Sequence, residues 1–480
     1  MSILSYDLQR DLKKTNVRPR IWQTQLIQLL RRRIKHNTVN SRDVLVHAGP
    51  GAGKTLGALL SFKALQKEGL LKNFVVFCHR NSIAFQWQKS SEMLGLKVQD
   101  LGIHPTQEEI QKHCDGWIYT YQGATKRLQK TKEPLEIFLK KNLLAIADEA
   151  HHLGVNPDEP EEAVWGRTFL ELTKNSNLRL GLTGTPFRAD NLAFCSARKV
   201  LVHSKGELIE QINPDLCVES RELISAGDVR PLEFHFQDGW VEHSHEGQPD
   251  REVSPLSTEQ RETWRARNLR RAISLSDKSS IGVQVLLKAQ EKLIKIRSEH
   301  ENAAGLVIAK DIEHAKSISN LLKENGHSVE LVHSQDKEAS CRLSAFKEGK
   351  AKWLVSVDMC SEGFDAPRLR VVAYLTTVVT KSRFLQGITR AVRMSSARAS
   401  LEAIPRNPSH VFAPADPLLM SYARSWSEAK PYLIKGNQSV SQIGGSSSSP
   451  KGPILPMEAV GDGAGEIIKM QTAELPQFLK

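Results

Sequence analysis

Cysteine is scarce in this sequence: six in 480 residues (Cys78, Cys114, Cys195, Cys217, Cys341 and Cys360), widely spread and with no C-x-x-C pair. That spacing argues against a disulfide framework and against a zinc module, and it fits a reducing compartment. There is no run of about 18 apolar residues, the length a membrane-spanning helix requires. The opening "MSILSYDLQRDLKK" mixes acids and bases and lacks the apolar centre of a secretory leader. The expectation is a cytoplasmic protein, neither secreted nor membrane-spanning. No internal repeat is visible. What is present is ordinary globular material, 40% hydrophobic and 25% charged, enough for two or three domains. Sixty-six Lys and Arg against 54 Asp and Glu leave a net charge of +12, which favours a polyanionic partner such as nucleic acid.

Apolar runs of strand length alternate with helical patterns: "VLVH" (44–47), "FVVFC" (74–78), "LLAIA" (143–147) and "LRLGLT" (178–183). A second set follows at "AGLVIA" (304–309), "VELVH" (329–333), "WLVSV" (353–357) and "VVAYL" (371–375). Runs apolar on both faces, separated by helices, predict two α/β lobes with parallel sheets. Residues 1–226 form the first lobe in this reading, and 227–300 the start of the second with a charged helical insertion. The second lobe proper then covers 301–435, and a Gly/Ser-rich flexible tail fills 436–480. In the insertion, "SHEGQPDREVSP" reads as loop and "RETWRARNLRRAI" as an Arg-dense helix, either a duplex contact or an exposed linker face. His235, His243 and His245 fall in this loop-like region, where exposure to solvent is expected rather than ligation.

"VLVHAGPGAGKT" places a strand directly before Gly49, Gly51, Ala52, Gly53, Lys54 and Thr55. Phosphates need closely approaching backbone N–H groups, which glycine permits, and a helix N-terminus, whose dipole favours anions. Lys54 then reaches the β- and γ-phosphates of ATP, and the Thr55 hydroxyl binds Mg²⁺. Ala48 stands where the first glycine of G-x-x-x-x-G-K-[ST] is usual. The stretch "LAIADEAHH" sends Asp148 and Glu149 out of a strand that reads as buried, where unpaired charge is costly. Beside a phosphate cradle the cost is offset: Asp148 holds Mg²⁺ and Glu149 orients and deprotonates the attacking water. His151 and His152 lack the H-E-x-x-H spacing of a metal site and are expected to contact the other lobe or another motif.

With the cradle and "DEAHH" in order, residues 15–415 resemble a superfamily-two helicase. The resemblance implies tandem RecA-like lobes with ATP at their interface. "RIWQTQ" is similar to the adenine-recognition motif, with Gln23 on the adenine edge assisted by Arg20. "FCHRNSIAFQW" and "TYQG" resemble motifs that read a nucleic-acid backbone, which implies contacts from Arg80, Gln86, Thr120 and Gln122, with Ser334 in the second lobe. "GLTGTPFR" resembles the motif coupling hydrolysis to strand movement through Thr183 and Thr185. "SVDMCSEGFDAPRL" resembles the motif whose Gly363 and Asp365 approach the nucleotide. "QGITRAVR" matches Q-x-x-G-R-x-x-R with Thr389 in place of the glycine. It implies Gln386 near the water or phosphate, and Arg390 and Arg393 as cations on the transferred phosphoryl group, at an i, i+3 spacing that shares one face if helical.

"DEAHH", "FQW" and "GLTGTPFR" look more like the branch holding phage and repair helicases and restriction-enzyme motor subunits than like DEAD-box RNA helicases. That points to a DNA helicase or duplex translocase using ATP and Mg²⁺, with mostly phosphate contacts to its strand. An RNA helicase of the same architecture, and an ATP-gated clamp or scaffold in a larger complex, remain open. So do protein partners at the tail.

Overall fold

The computed structural model describes residues 9–10, 12, 17–36, 42–102, 108–111, 113–154, 161–184, 199–204, 207–243, 252–259, 261–275, 280–349, 351–357, 364–428 and 470–471. The chain divides into two compact units, one running to Leu223 and the other from Ile224 to Lys430. Gly363, Thr185, His245 and nearly all of the Gly/Ser-rich tail lie outside the described residues.

The first unit holds a seven-stranded sheet. Its strands are β1 (Asp43–Ala48), β2 (Asn73–Cys78), β3 (Val98–Asp100), β4 (Gly116–Thr120), β5 (Leu143–Ala147), β6 (Leu178–Thr183) and β9 (Leu216–Val218), in the order β3-β4-β2-β5-β6-β1-β9. Every pairing is parallel. Between β6 and β9 the antiparallel pair β7 (Lys199–Ser204) and β8 (Glu207–Ile212) stands apart from this sheet. Parallel neighbours need crossovers, here the helices Lys54–Lys67, Asn81–Met93, Tyr121–Thr131 and Glu161–Leu172. β5 is buried at all five positions, and the core around it includes Phe77, Trp117, Tyr121, Phe138 and Phe169.

A second sheet, in the order β10-β17-β16-β13-β15-β14, organises the other unit. Its strands are β10 (Leu232–Gln237), β13 (Ala304–Ala309), β14 (Val329–Val332), β15 (Trp353–Val357), β16 (Leu369–Leu375) and β17 (Ser409–Pro414). These pairings too are all parallel. β13 packs so closely on Trp353 that a Cβ at Gly305 would stand 2.2 Å from the indole, which is why glycine occupies an otherwise aliphatic strand. The predicted fold class is thus observed, α/β with two parallel sheets.

Two readings of the 227–300 region need correction. "SHEGQPDREVSP" is not all loop: β12 (Glu252–Pro255) pairs antiparallel with β11 (Trp240–His243). The helix Ile281–Glu299 buries Val285, Leu286, Ala289 and Leu293 in the core of the second unit. His235 is no loop residue but part of β10, only partly exposed beside His410. Within the Arg-dense helix (Glu262–Ala272), Arg265 is buried and its guanidinium donates to Asp416, 2.8 Å away. That arginine is structural, which removes it from any surface meant for a duplex.

A second buried arginine anchors the same unit. Arg230 makes a two-pronged pair with Glu402 at 2.5 and 2.6 Å, and Arg398 adds a third contact at 2.6 Å. Burial alone would raise the Glu402 carboxyl, but these guanidinium groups outweigh it and hold it down to about 2. A depressed carboxylate stabilises the fold above its unfolded value near 4.5 and ceases to do so as pH falls through the folded value. Thermal melts should therefore lose stability between about pH 4.5 and 2, and Glu402→Gln should flatten that decline; an identical acid slope in the variant would refute the link.

Candidate functional site

The site is assembled at the C-terminal edge of the first sheet, where β5, β6 and β1 lie side by side. Ala48 is the last residue of β1 and fully buried, so the chain needs no glycine there. The turn begins one residue later. Gly51 and Gly53 have φ of 78° and 79°, the left-handed region that glycine enters at least cost. Lys54 opens the helix that follows, with Thr55 in its first turn. Left-handed residues alternating with helical ones make a concave nest of N–H groups, and with the helix N-terminus behind it this is an anion cradle.

Residues ahead of β1 brace the turn. Arg20 donates to Gly51 O (2.5 Å), Gln23 Nε2 to Gly53 O (3.1 Å) and Trp22 Nε1 to Ala52 O (3.0 Å). Arg20 and Gln23, expected at the adenine edge, are thus seen bracing the glycine turn. Trp22 was not singled out by sequence. Its ring crosses the helix so tightly that a Cβ on Gly57 would lie 2.6 Å from it.

Asp148 and Glu149 follow β5 directly. Asp148 is buried, and Trp87 donates to its Oδ2 at 2.7 Å while Tyr121 OH donates to its backbone carbonyl at 3.0 Å. Burial pushes its carboxyl above the usual range, Glu149 adds to this, and the Trp87 hydrogen bond works in the opposite direction. Glu149 has a left-handed backbone, φ 47°, rare for a residue with a Cβ. Its Oε1 lies 3.3 Å from Lys54 Nζ, and its Oε2 accepts from Gly184 N at 3.3 Å. Burial would raise this carboxyl too, but Lys54 and the neighbouring histidines outweigh that and hold it below the usual carboxylate range, which favours the anion, the form in which a carboxylate can accept a proton.

His151 Nδ1 stands 3.0 Å from Thr183 Oγ1 and 3.4 Å from Glu149 Oε2. Burial and the adjacent His152 lower its pKa to about 3, so the ring is neutral. It ties the acid pair to the end of β6, and the His152 ring lies between those of His151 and His79, with centroids 4.3 and 4.5 Å away and planes tilted by 36° and 37°. The donor set fits a hard divalent ion, with the Thr55 hydroxyl on one side and the Asp148 carboxylate, which such an ion would keep ionised, on the other.

The residues expected at a nucleic-acid strand sit at the same kind of edge. Arg80 is exposed just after β2, and Gln86 is half-buried on the next helix. Thr120 ends β4 as the register partner of Cys78, with its hydroxyl accepting from Gly123 N at 3.1 Å as the cap of the next helix, and Gln122 lies in that helix. Ser334 is exposed in the turn after β14.

In the second unit the helix Lys381–Ile388, which carries Gln386, gives way to a tighter turn over Thr389–Val392. Arg393 is extended beyond it, so the two arginines do not share one helical face as the spacing suggested. They converge instead on one segment: Arg390 donates to Phe364 O at 3.0 Å, and Arg393 pairs with Asp365 at 3.1 Å. The "EGFD" and "QGITRAVR" motifs are thereby joined.

Residues 16–188 match the family described as "Type III restriction enzyme, res subunit", and residues 287–395 match "Helicase conserved C-terminal domain". Among curated relatives, an uncharacterized protein of Mycobacterium leprae is 29% identical over 81% of this chain and 62% of its own length. The chain thus spans about three fifths of the length of the curated relatives it matches first. Among solved structures, Dbp5 of S. cerevisiae bound to RNA and ADP BeF3 shares the fold with a TM-score of 0.52 at 13% identity, covering 88% of this chain and 91% of that one. A fragment named as an HsdR subunit of a type I restriction enzyme from Vibrio vulnificus gives 0.53 at 17% identity, over 86% and 67%. A phosphate cradle after the first strand, an acid pair after the fifth, the two matched domains and the paired parallel sheets lead to one conclusion: the chain belongs to the superfamily-two helicases and translocases.

Proposed function

We propose that this chain is an ATP-hydrolysing motor on DNA, a helicase or duplex translocase. The observation that carries the reading is the Glu149 carboxylate, 3.3 Å from Lys54 and held by a backbone N–H, beside a cradle built for phosphates. In this reading Lys54 binds the β- and γ-phosphates, and Gln23 with Arg20 takes the adenine. Glu149 accepts the proton of the attacking water, while Gln386, Arg390 and Arg393 stabilise the charge that develops on the phosphoryl oxygens. Mg²⁺, held by Thr55 and Asp148, supplies neutralisation of the phosphate charge.

The match to a restriction-enzyme subunit family and the likeness to the HsdR fragment support DNA as the track. The RNA-bound Dbp5 has the same fold and supports the alternative. ATPase rates with single-stranded DNA, duplex DNA and RNA, measured together with strand displacement and translocation, decide between them; stimulation by RNA alone would overturn the DNA reading. Of the proposed contacts at Arg80, Gln86, Thr120, Gln122 and Ser334, Arg80 is the cation, so it should contribute a log–log salt slope of about −0.7 to −0.9 for the phosphate it neutralises, and Arg80→Gln should reduce the slope by that amount. An unchanged slope in the variant would remove Arg80 from the strand.

A further inference from the structure

We propose that Glu233, His235 and His410 form a site for one divalent transition-metal ion, of the zinc class, that ties edge strand β10 to β17. β10 runs parallel to β17 with Glu233 opposite His410, and His235 lies two residues on, so the strand period puts all three side chains on one face. Their donor atoms converge. His235 Nε2 is 3.1 Å from His410 Nδ1, Glu233 Oε1 is 3.3 Å from His235 Nε2, and Glu233 Oε2 is 3.6 Å from His410 Nδ1. One ligand atom from each residue falls within 4.8 Å of the others. A tetrahedral ion with metal–nitrogen bonds of about 2.0–2.1 Å sets its ligands about 3.3 Å apart, close to the 3.1 Å between the two ring nitrogens and the 3.3 Å from Glu233 Oε1 to His235.

The chemistry of the donors agrees. Two imidazoles and a carboxylate suit zinc and its neighbours rather than Mg²⁺ or Ca²⁺, which prefer all-oxygen shells. Burial, Lys292, His235 and Arg370 lower the His410 pKa to about 3, and burial with Lys292 and Lys288 lowers that of His235 against the pull of Glu233. Of the nearby ammonium groups, Lys288 is held by Gln237 at 2.6 Å. The His235 ring is fixed by stacking on Phe412, with centroids 4.5 Å apart and planes within 13°. Glu233 is half exposed while His410 is buried, which leaves the fourth position of a tetrahedron open to water on the Glu233 side.

The benefit is local. Among the described residues β10 is an edge strand held by β17 alone, so a cation bridging the two adds a cross-link to the one ladder that secures it. None of the three residues belongs to the proposed ATP site, so ATP turnover reports whether a variant is folded, independently of metal binding.

The test uses the full chain stripped with a chelator and titrated with Zn²⁺ by calorimetry, with Co²⁺ absorption as a geometric readout. One equivalent of Zn²⁺ per chain is expected at micromolar or tighter affinity, together with visible bands of tetrahedral Co²⁺ and a melting temperature raised by Zn²⁺. Glu233→Gln, at the most exposed position, and His235→Ala should each weaken Zn²⁺ binding at least about tenfold and abolish the Co²⁺ bands while ATP turnover persists. Absence of stoichiometric Zn²⁺ binding by the parent chain, or equal affinity in both variants, would overturn the proposal.

Discussion

Glu149→Gln is expected to bind ATP within a few-fold of the parent chain and to turn it over at least about a hundredfold more slowly, the usual scale for removing a general base. The substitution is close to isosteric, so the carbonyl oxygen of the new amide can still accept from Gly184 N, and the left-handed backbone at 149 is unchanged. Two properties are lost: the negative charge facing Lys54, and the capacity to take a proton. Loss of that charge frees Lys54 for phosphate, which is why binding should hold or tighten. Equilibrium binding of a fluorescent ATP analogue and steady-state phosphate release separate the two effects. Turnover near the parent rate would eliminate Glu149 as the base.

Asp416→Ala should be the most damaging single change to stability in the second unit. Asp416 is fully buried, and its Oδ2 accepts from Arg265 NH1 at 2.8 Å across 151 residues of sequence. Its Oδ1 accepts from Leu418 N at 2.9 Å and Leu419 N at 3.3 Å, so the same carboxylate caps the helix Pro417–Glu428. Removing it strands a buried guanidinium, at about 3–5 kcal/mol, and removes a cap worth about 1 kcal/mol more. Calorimetry of the full chain should show one unfolding transition lowered by on the order of 10 °C. Arg265→Met in the same background should restore part of the loss, because the unpaired charge is then gone. A double variant as unstable as the single one would mean the cap, not the ion pair, carries the effect.

The sequence disclosed those parts of the molecule whose physics is local. Every aliphatic run read as a strand is a strand, because a parallel sheet buried on both faces demands consecutive Val, Ile and Leu. The cradle was legible since its glycines, Lys54 and Thr55 are contiguous, and the acid pair stood out because it follows an apolar strand. Strands of mixed character were missed: β4, reading Gly-Trp-Ile-Tyr-Thr, and β10, reading Leu-Glu-Phe-His-Phe-Gln, carry no aliphatic run. The supports of the site were hidden for another reason. Trp87 meets Asp148 across 61 residues, and His235 meets His410 across 175. Nothing in the local pattern at either partner announces the other, so such pairs emerge only once the strands are in register.

The backbone at position 149 sets robustness against chemistry. A left-handed torsion on a side-chain-bearing residue costs on the order of 1–2 kcal/mol, a toll that glycine would escape and asparagine would lessen. Glycine at 149 is therefore expected to relieve the torsion and, on the proposed function, to leave a chain that still binds its nucleotide without turning it over.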